Sequence, residues 1–340
     1  MNATIINPSK SFEVKWLYSL FAFLEGDRLV KVTASLTKTL LIPLIAVVIF
    51  LALWSTGASS VTTSLGKLPG PAQVWQQTIQ LYAEHKAERQ KEVAFYERQD
   101  LRNAKKLAKN PDATIKTRPY TGKATFIDQI FTSLITVATG FIIASLIAIP
   151  IGIVCGMSVT LYRALNPIIQ IFKPVSPLAW LPIVTMVVSA VYVSDDPMFD
   201  KSFITSAITV TLCCVWPTII NTTVGVSSID KDLINVSRVL RLGWFTKTMK
   251  IVLPSSVPMM FAGLRLSLGI GWMVLIAAEM LAQNPGLGKF VWDEFQNGSS
   301  NSLSRIMVAV LVIGILGFLL DRGMLMLQRW ATWDRNAVLR

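Results

Sequence analysis

Six stretches of the chain are apolar for long enough to cross a bilayer as helices, which takes about 20 residues each. They run over residues 39–57, 130–156, 168–193, 203–225, 258–282 and 303–320. Most of the polar connections between them are short. The exception is residues 67–126, too polar to enter a membrane. That stretch opens with KLPGPAQVW, in which Pro-Gly-Pro breaks the preceding element and Pro71 suits a helix start. The run AEHKAERQKEVAFYERQDLRNAKKLAK then predicts one long helix ending at Asn110-Pro111. Ahead of the first span, Phe12, Trp16, Leu20 and Phe23 recur at helical spacing among charged residues. This predicts a helix lying in the membrane interface. The first apolar run begins too late, and lacks too clearly a small-residue cleavage site, for a cleavable signal peptide. The pattern as a whole predicts an all-α, polytopic membrane bundle of six transmembrane helices.

Three spans carry further patterns. In the second, Gly140, Ala144, Ala148, Gly152 and Gly156 repeat every four residues. They form a small-residue stripe for close helix packing, and Ser267-x3-Gly271 in the fifth span is a weaker case. The third span contains Pro174, Pro177 and Pro182. Proline removes a backbone donor and kinks a helix, and irregular backbone at membrane depth survives only where protein or a water-filled cavity covers it. A helix broken at a pore and a purely structural kink both fit. Ionisable residues in spans are read first as functional. Lys173 and Arg265 are the candidates; Glu279, near the end of the fifth span, fits snorkelling or a buried ion pair.

Charge then orients the bundle. The chain carries 32 Lys and Arg against 20 Asp and Glu, a net charge of +12. Lys31 and Lys38 precede the first span and Arg163 follows the second. Lys231, Arg238, Arg241, Lys247 and Lys250 follow the fourth, and Arg322, Arg329, Arg335 and Arg340 the sixth. With six spans these all lie on one side, which the positive-inside rule makes cytoplasmic, with both termini. Loop retention explains part of the excess, for which nucleic-acid binding would otherwise be the first reading. Residues 84–123 hold 11 Lys and Arg against 6 Asp and Glu. This basic segment falls outside, either as a solvated helix or as a surface for a periplasmic partner. The predicted organisation is an N-terminal interfacial segment 1–38, a first span 39–57, a polar insert 58–129, a membrane domain 130–325 and a cytoplasmic tail 326–340.

Composition agrees: 52% of residues are hydrophobic and 15% charged, against about 25% charged in soluble domains. Catalysis by this chain is not expected. It has no G-x-x-x-x-G-K-[ST] phosphate loop, and Gly286-Leu287-Gly288-Lys289 lacks that spacing. Its one histidine, His85, rules out a histidine metal pair or a Ser–His triad within the bundle. Cys155, Cys213 and Cys214 lie in apolar runs and read as small core residues. No metal or cofactor of its own is expected.

The segment DKDLINVSRVLRLGWFTKTMKIVLPSSVP, residues 230–258, sits between two spans and ends Ile251-x-Leu253-Pro254. It resembles the coupling loop of ABC importer permeases, E-A-A-x3-G-x9-I-x-L-P. In register, Asn235-Val236-Ser237 occupy the E-A-A positions and Arg241 the Gly position, so only the I-x-L-P end is intact. KPVSPLAWLPI at 173–183 and FAGLRLSLGIGWMVLIAAEM at 261–280 are similar to the nitrate, sulfonate and taurine branch. NVSRVLRL at 235–242, WDEFQNGSS at 292–300 and TRPYTGK at 117–123 are most similar to nitrate permeases. The resemblance implies a type I import permease, in the bacterial inner membrane, working as a dimer, most simply a homodimer. It implies two cytoplasmic ATPase subunits that bind ATP and Mg, and a periplasmic or lipid-anchored binding protein. It implies a coupling loop 227–255 that docks on the ATPase, with Asn235, Val236, Ser237, Leu240, Arg241, Trp244, Ile251, Leu253 and Pro254 as its residues. The solute it implies is a small oxyanion, nitrate first, with nitrite, cyanate, bicarbonate and sulfonates open. Lys173, Ser176, Trp180 and Arg265 are the candidate path residues. A secondary transporter and a membrane-anchored scaffold are the other classes weighed.

Overall fold

A computed structural model describes residues 41–63, 66–110, 114–115, 117–193 and 198–331. The predicted interfacial segment 11–31 and the tail beyond 331 lie outside them. The chain divides into two compact units, residues up to 72 and residues from 73 on. In the first, α1 (Ile42–Ser60) is an almost wholly apolar helix with Pro43 in its first turn. Its 19 residues span about 29 Å, one hydrocarbon thickness. A two-stranded antiparallel hairpin follows, β1 (Thr62–Thr63) and β2 (Gly66–Lys67), with Thr62 opposite Lys67.

Among its described residues the second unit contains helices and no strand. α2 (Pro71–Lys109) has 39 residues and is about 58 Å long. α3 (Phe126–Met157) starts at a capping box: the Thr125 side chain accepts from the Asp128 N–H, and the Asp128 carboxylate accepts from the Thr125 N–H at 3.0 Å. Such caps are worth about 1 kcal/mol. α4 (Val159–Phe172) and α5 (Pro177–Val191) follow, then α6 (Lys201–Ser227), α7 (Lys231–Val239) and α8 (Trp244–Lys247). A π-helical turn, Thr248–Val252, leads into α9 (Leu253–Ala282), followed by α10 (Leu287–Asn297) and α11 (Ser302–Ala331).

Five helices among the described residues are long and apolar enough to cross a membrane: α1, α3, α6, the rod Trp244–Ala282, and α11. A sixth crossing needs the pair α4 and α5, whose axes differ by 97°. The proline break predicted within the span 168–193 therefore lies at residues 173–176. Residues 168–172 belong to α4, and the apolar run simply continues across the corner into α5.

α6 is the centre of the bundle, flanked by α3 and α9. Its apolar window is 61% buried, against 6% for α1. The small-residue stripe of α3 faces α6. Ala144 and Ala148 are fully buried, and a Cβ on Gly140 would lie 2.7 Å from the Ala207 carbonyl oxygen and 2.8 Å from Val210 Cβ. That close approach lets Thr211 Oγ1 donate across the seam to the Gly140 carbonyl at 3.1 Å, and Thr223 Oγ1 to the Gly152 carbonyl at 3.3 Å. On the other side of α6, Ser267 donates to the Cys214 carbonyl, and Cys214 Sγ to the Ser267 carbonyl at 3.2 Å. α11 is tied to α9 by Trp272 Nε1, which donates to the Ile313 carbonyl at 3.0 Å. It is also tied by the Arg265–Asp321 pair described below.

Candidate functional site: a broken helix, a loop helix and a polar cap

The break lies in Lys173-Pro174-Val175-Ser176. Pro174 and Pro177 bring no N–H and restrict the residues before them, so the α4 ladder ends there. Lys173 N donates to the Ile169 carbonyl at 2.9 Å and Val175 N to the Phe172 carbonyl at 3.1 Å. Ser176 then caps α5, its Oγ accepting from Leu178 N at 3.3 Å. In the corner is a pocket of about 240 Å³ between α5, α6 and α9, with Lys173, Trp180, Cys213, Trp216 and Asn221 among its lining. Phe172 stacks on Trp216, ring centres 6.0 Å apart, and tilts against Trp180 at 5.7 Å. Trp216 Nε1 is buried without a partner. The pocket thus presents one ammonium among aromatic rings, with Trp216 Nε1 closed off beneath its surface, an arrangement suited to a small anion.

Of the four predicted path residues, Lys173 and Trp180 line this pocket. Ser176 is at its lip, exposed, its hydroxyl engaged in the cap. Arg265 is not brought there. Its Nε and Nη2 donate to the two carboxylate oxygens of Asp321 at 3.0 and 3.1 Å. Its charge is compensated by α11, so no positive potential along the pocket rests on it. The sequence reading does not name Trp216 or Asn221 and takes Cys213 only as a small core residue, although Pro217 beside them, inside the fourth span, is an available signal.

The segment that sequence reads as a coupling loop forms the short helix α7, capped by Asp230, whose carboxylate accepts from Asp232 N at 2.9 Å. Ser237 is buried, its hydroxyl bonded to the Ile234 carbonyl at 2.6 Å. Asn235 is exposed, as are Val236, Leu240 and Trp244 at 51%, 62% and 60%, an apolar surface with no cover among the described residues. Arg241, at the Gly position of the pattern, has φ +46°. This is the left-handed region that glycine enters freely and other residues enter at a cost of about 1–2 kcal/mol. Pro254 brings no N–H for the Lys250 carbonyl, which interrupts the α ladder; the turn ahead of it is π-helical. Ile251 and Leu253 are half-buried there, and Pro254 is exposed in the first turn of α9.

At the opposite end of α9, Glu279 is fully buried. It is neither snorkelling nor ion-paired. Ser133 Oγ lies 2.8 and 2.9 Å from its two oxygens, and Gly288 N donates to it at 2.9 Å. The carboxylate therefore caps the N-terminus of α10, where backbone donors and helix dipole both favour negative charge. A Cβ on Gly288 would fall on the Ile276 carbonyl, which is why the sequence needs glycine there.

The insert helix α2 docks on this same end. Arg305 of α11 reaches Glu84 at 2.8 Å and Glu294 at 2.9 Å. Arg89 pairs with Asp128 at 3.2 Å, and His85 Nδ1 is 2.6 Å from Thr125 Oγ1. The returning chain runs back along α2: Tyr120 Oη donates to Glu88 at 2.7 Å and Arg118 N to Gln99 at 2.9 Å. The phenol holds the Glu88 carboxyl below its usual range, and the carboxylate raises Tyr120 in turn.

A helical bundle with several apolar crossings, a proline-broken helix and an amphipathic loop helix ending in I-x-L-P defines a membrane transport subunit. The chain belongs to the family of binding-protein-dependent transport system inner membrane components, which matches residues 148–332, more than half of its length. It is 40% identical over 200 residues to the nitrate import permease protein NrtB of Synechocystis, covering 59% of this chain and 68% of that protein. It is 40% identical over 193 residues to the nitrate import permease protein NrtB of Leptolyngbya laminosa, covering 57% of this chain and 64% of that protein. It is 35% identical over 292 residues to the bicarbonate transport system permease protein CmpB of Synechococcus elongatus, covering 86% of this chain and 89% of that one. Its fold is that of a chain of the inward-facing MetNI methionine ABC transporter, with TM-score 0.53 and 15% identity over 61% of this chain and 96% of that chain.

Proposed function

We propose that this chain is the membrane-spanning subunit of an ATP-driven importer for a small inorganic oxyanion, nitrate first. The observation that carries the reading is the corner pocket at the proline break, where Lys173 has no carboxylate partner among the described residues. A monovalent planar anion is cheap to dehydrate relative to a divalent one, so a few donors suffice for passage, and selectivity rests largely on a separate binding protein. Likeness to nitrate permeases supports nitrate. The longer match to a bicarbonate permease favours bicarbonate as the second reading; both are planar monoanions.

In this reading both termini and α7 face the cytoplasm, α2 lies outside, and two copies of the chain enclose the path. ATP is hydrolysed by partner ATPase subunits, docked on the uncovered surface of Val236, Leu240 and Trp244. ATPase activity of the reconstituted complex, with its binding protein, tests the solute: nitrate stimulates most, and stimulation by bicarbonate alone overturns the choice. Ser176→Ala and Trp180→Ala variants that assemble lose uptake; normal rates in both remove this route. Single-cysteine labelling at position 100 from outside tests the orientation, and labelling only after the cytoplasm is opened contradicts it.

A further inference from the structure

Behind α7 is a cleft of about 550 Å³, between the ends of α3 and α6 and the turn that leads into α9. Its lining divides in two. One wall is apolar, with Val226 and Val252 part of a buried cluster. The other carries Lys231, Asn235 and Arg238 from α7, joined by Lys247 from α8. Residues 231, 235 and 238 are spaced i, i+4 and i+7, so one face of α7 turns its cations into the cleft. The opposite face, with Leu233, Val236 and Leu240, is exposed. No carboxylate lines the cleft. Asp230 is engaged in capping Asp232 N at 2.9 Å, and Asp232 is exposed at the start of α7. None of the three cations has an ion-pair partner among the described residues.

We propose that this cleft binds a phosphate-bearing anion through Lys231, Arg238 and Lys247, and that the anion is the headgroup of an acidic phospholipid. The cleft lies at the ends of two membrane-crossing helices, the depth of the headgroup layer. Its apolar wall suits the start of an acyl chain, and three uncompensated cations suit a phosphodiester. Basic pockets between membrane helices hold acidic headgroups by this chemistry, each cation near the surface contributing about fivefold in affinity. The site does not depend on which solute is carried. A bound lipid would brace the face of α7 opposite its exposed apolar surface.

The test is native mass spectrometry of the full-length chain with phosphatidylglycerol and phosphatidylcholine. Wild type retains phosphatidylglycerol selectively, and Lys231→Gln/Arg238→Gln/Lys247→Gln loses it by on the order of a hundredfold. Lys231→Arg/Lys247→Arg keeps it. Each single Gln variant loses about fivefold, a readout that stands if the triple variant does not fold. Displacement of the lipid by millimolar inorganic phosphate in wild type overturns the lipid assignment, since the site then takes free phosphate. Equal retention of both lipids by wild type and folded triple variant overturns the proposal. So does a triple variant that loses ATPase co-purification while its lipids are unchanged, since the cations then serve a protein partner.

Discussion

Gly140→Ala is the sharpest probe of the α3–α6 seam. The new methyl would sit 2.7 Å from the Ala207 carbonyl oxygen and 2.8 Å from Val210 Cβ, both on α6. Ordinary contact requires roughly 0.7 Å more, and the obstacle is partly backbone, so the helices must part. Overpacking of this kind costs about 1–3 kcal/mol. Parting them stretches the Thr211–Gly140 bond, already 3.1 Å, worth about 0.6 kcal/mol between membrane helices. Against this stands the helix-propensity gain of Ala over Gly, about 1 kcal/mol. The net expectation is about 1–2 kcal/mol of destabilisation. Gly314 on α11 is the control, because a Cβ there meets nothing within 4 Å. Gly314→Ala should gain about 1 kcal/mol from the same propensity term. Unfolding of the two purified variants in one detergent, followed by tryptophan fluorescence, measures the difference. Equal stabilities, or a Gly140→Ala variant as stable as wild type, refute the close-packed seam.

Other outcomes follow from the same geometry. Arg265→Gln and Asp321→Asn should each destabilise the α9–α11 contact, with a double-mutant coupling of about 1 kcal/mol; additive effects would show that the pair does not interact. Leu240→Asp with Arg241→Glu should abolish solute-stimulated ATP hydrolysis while leaving the chain folded, and unchanged stimulation contradicts docking through α7. Arg241→Gly should relieve about 1–2 kcal/mol of left-handed backbone cost, read as a higher unfolding midpoint; a lower one contradicts it. The Glu88–Tyr120 contact depresses the Glu88 carboxyl, so its contribution is present above that group's unfolded value and lost as pH falls through the lower folded one. Hydrogen exchange at residues 117–123 should therefore rise only in acid, beyond the intrinsic pH trend, and Glu88→Gln should remove the step.

The crossings were legible because a 20-residue apolar run has few other uses, and Pro71 and Asn110-Pro111 framed α2 for local reasons. The corner between α4 and α5 was legible as Pro174 and Pro177, but not the start of the new helix, since hydropathy does not change where the axis turns. What escaped depends on partners far along the chain. Arg265 meets Asp321, 56 residues on; Glu279 meets Ser133, 146 residues back; Glu84 meets Arg305, 221 residues on. Pattern reading assigns each such group by its own span, hence the expectation of snorkelling or pairing for Glu279. Arg241 is a middle case: the register placed it at a glycine position, and its positive φ gives that register a conformational meaning.

Nitrate uptake into proteoliposomes tests the central claim most directly, with the chain reconstituted beside its ATPase subunits and binding protein, as wild type and Lys173→Gln. The account predicts saturable, ATP-dependent nitrate entry in wild type, reduced about tenfold in the variant by the loss of one donor worth about 1.4 kcal/mol, with assembly intact. Uptake that is unchanged in the variant, or absent for every small oxyanion while an organic solute is carried, would contradict it.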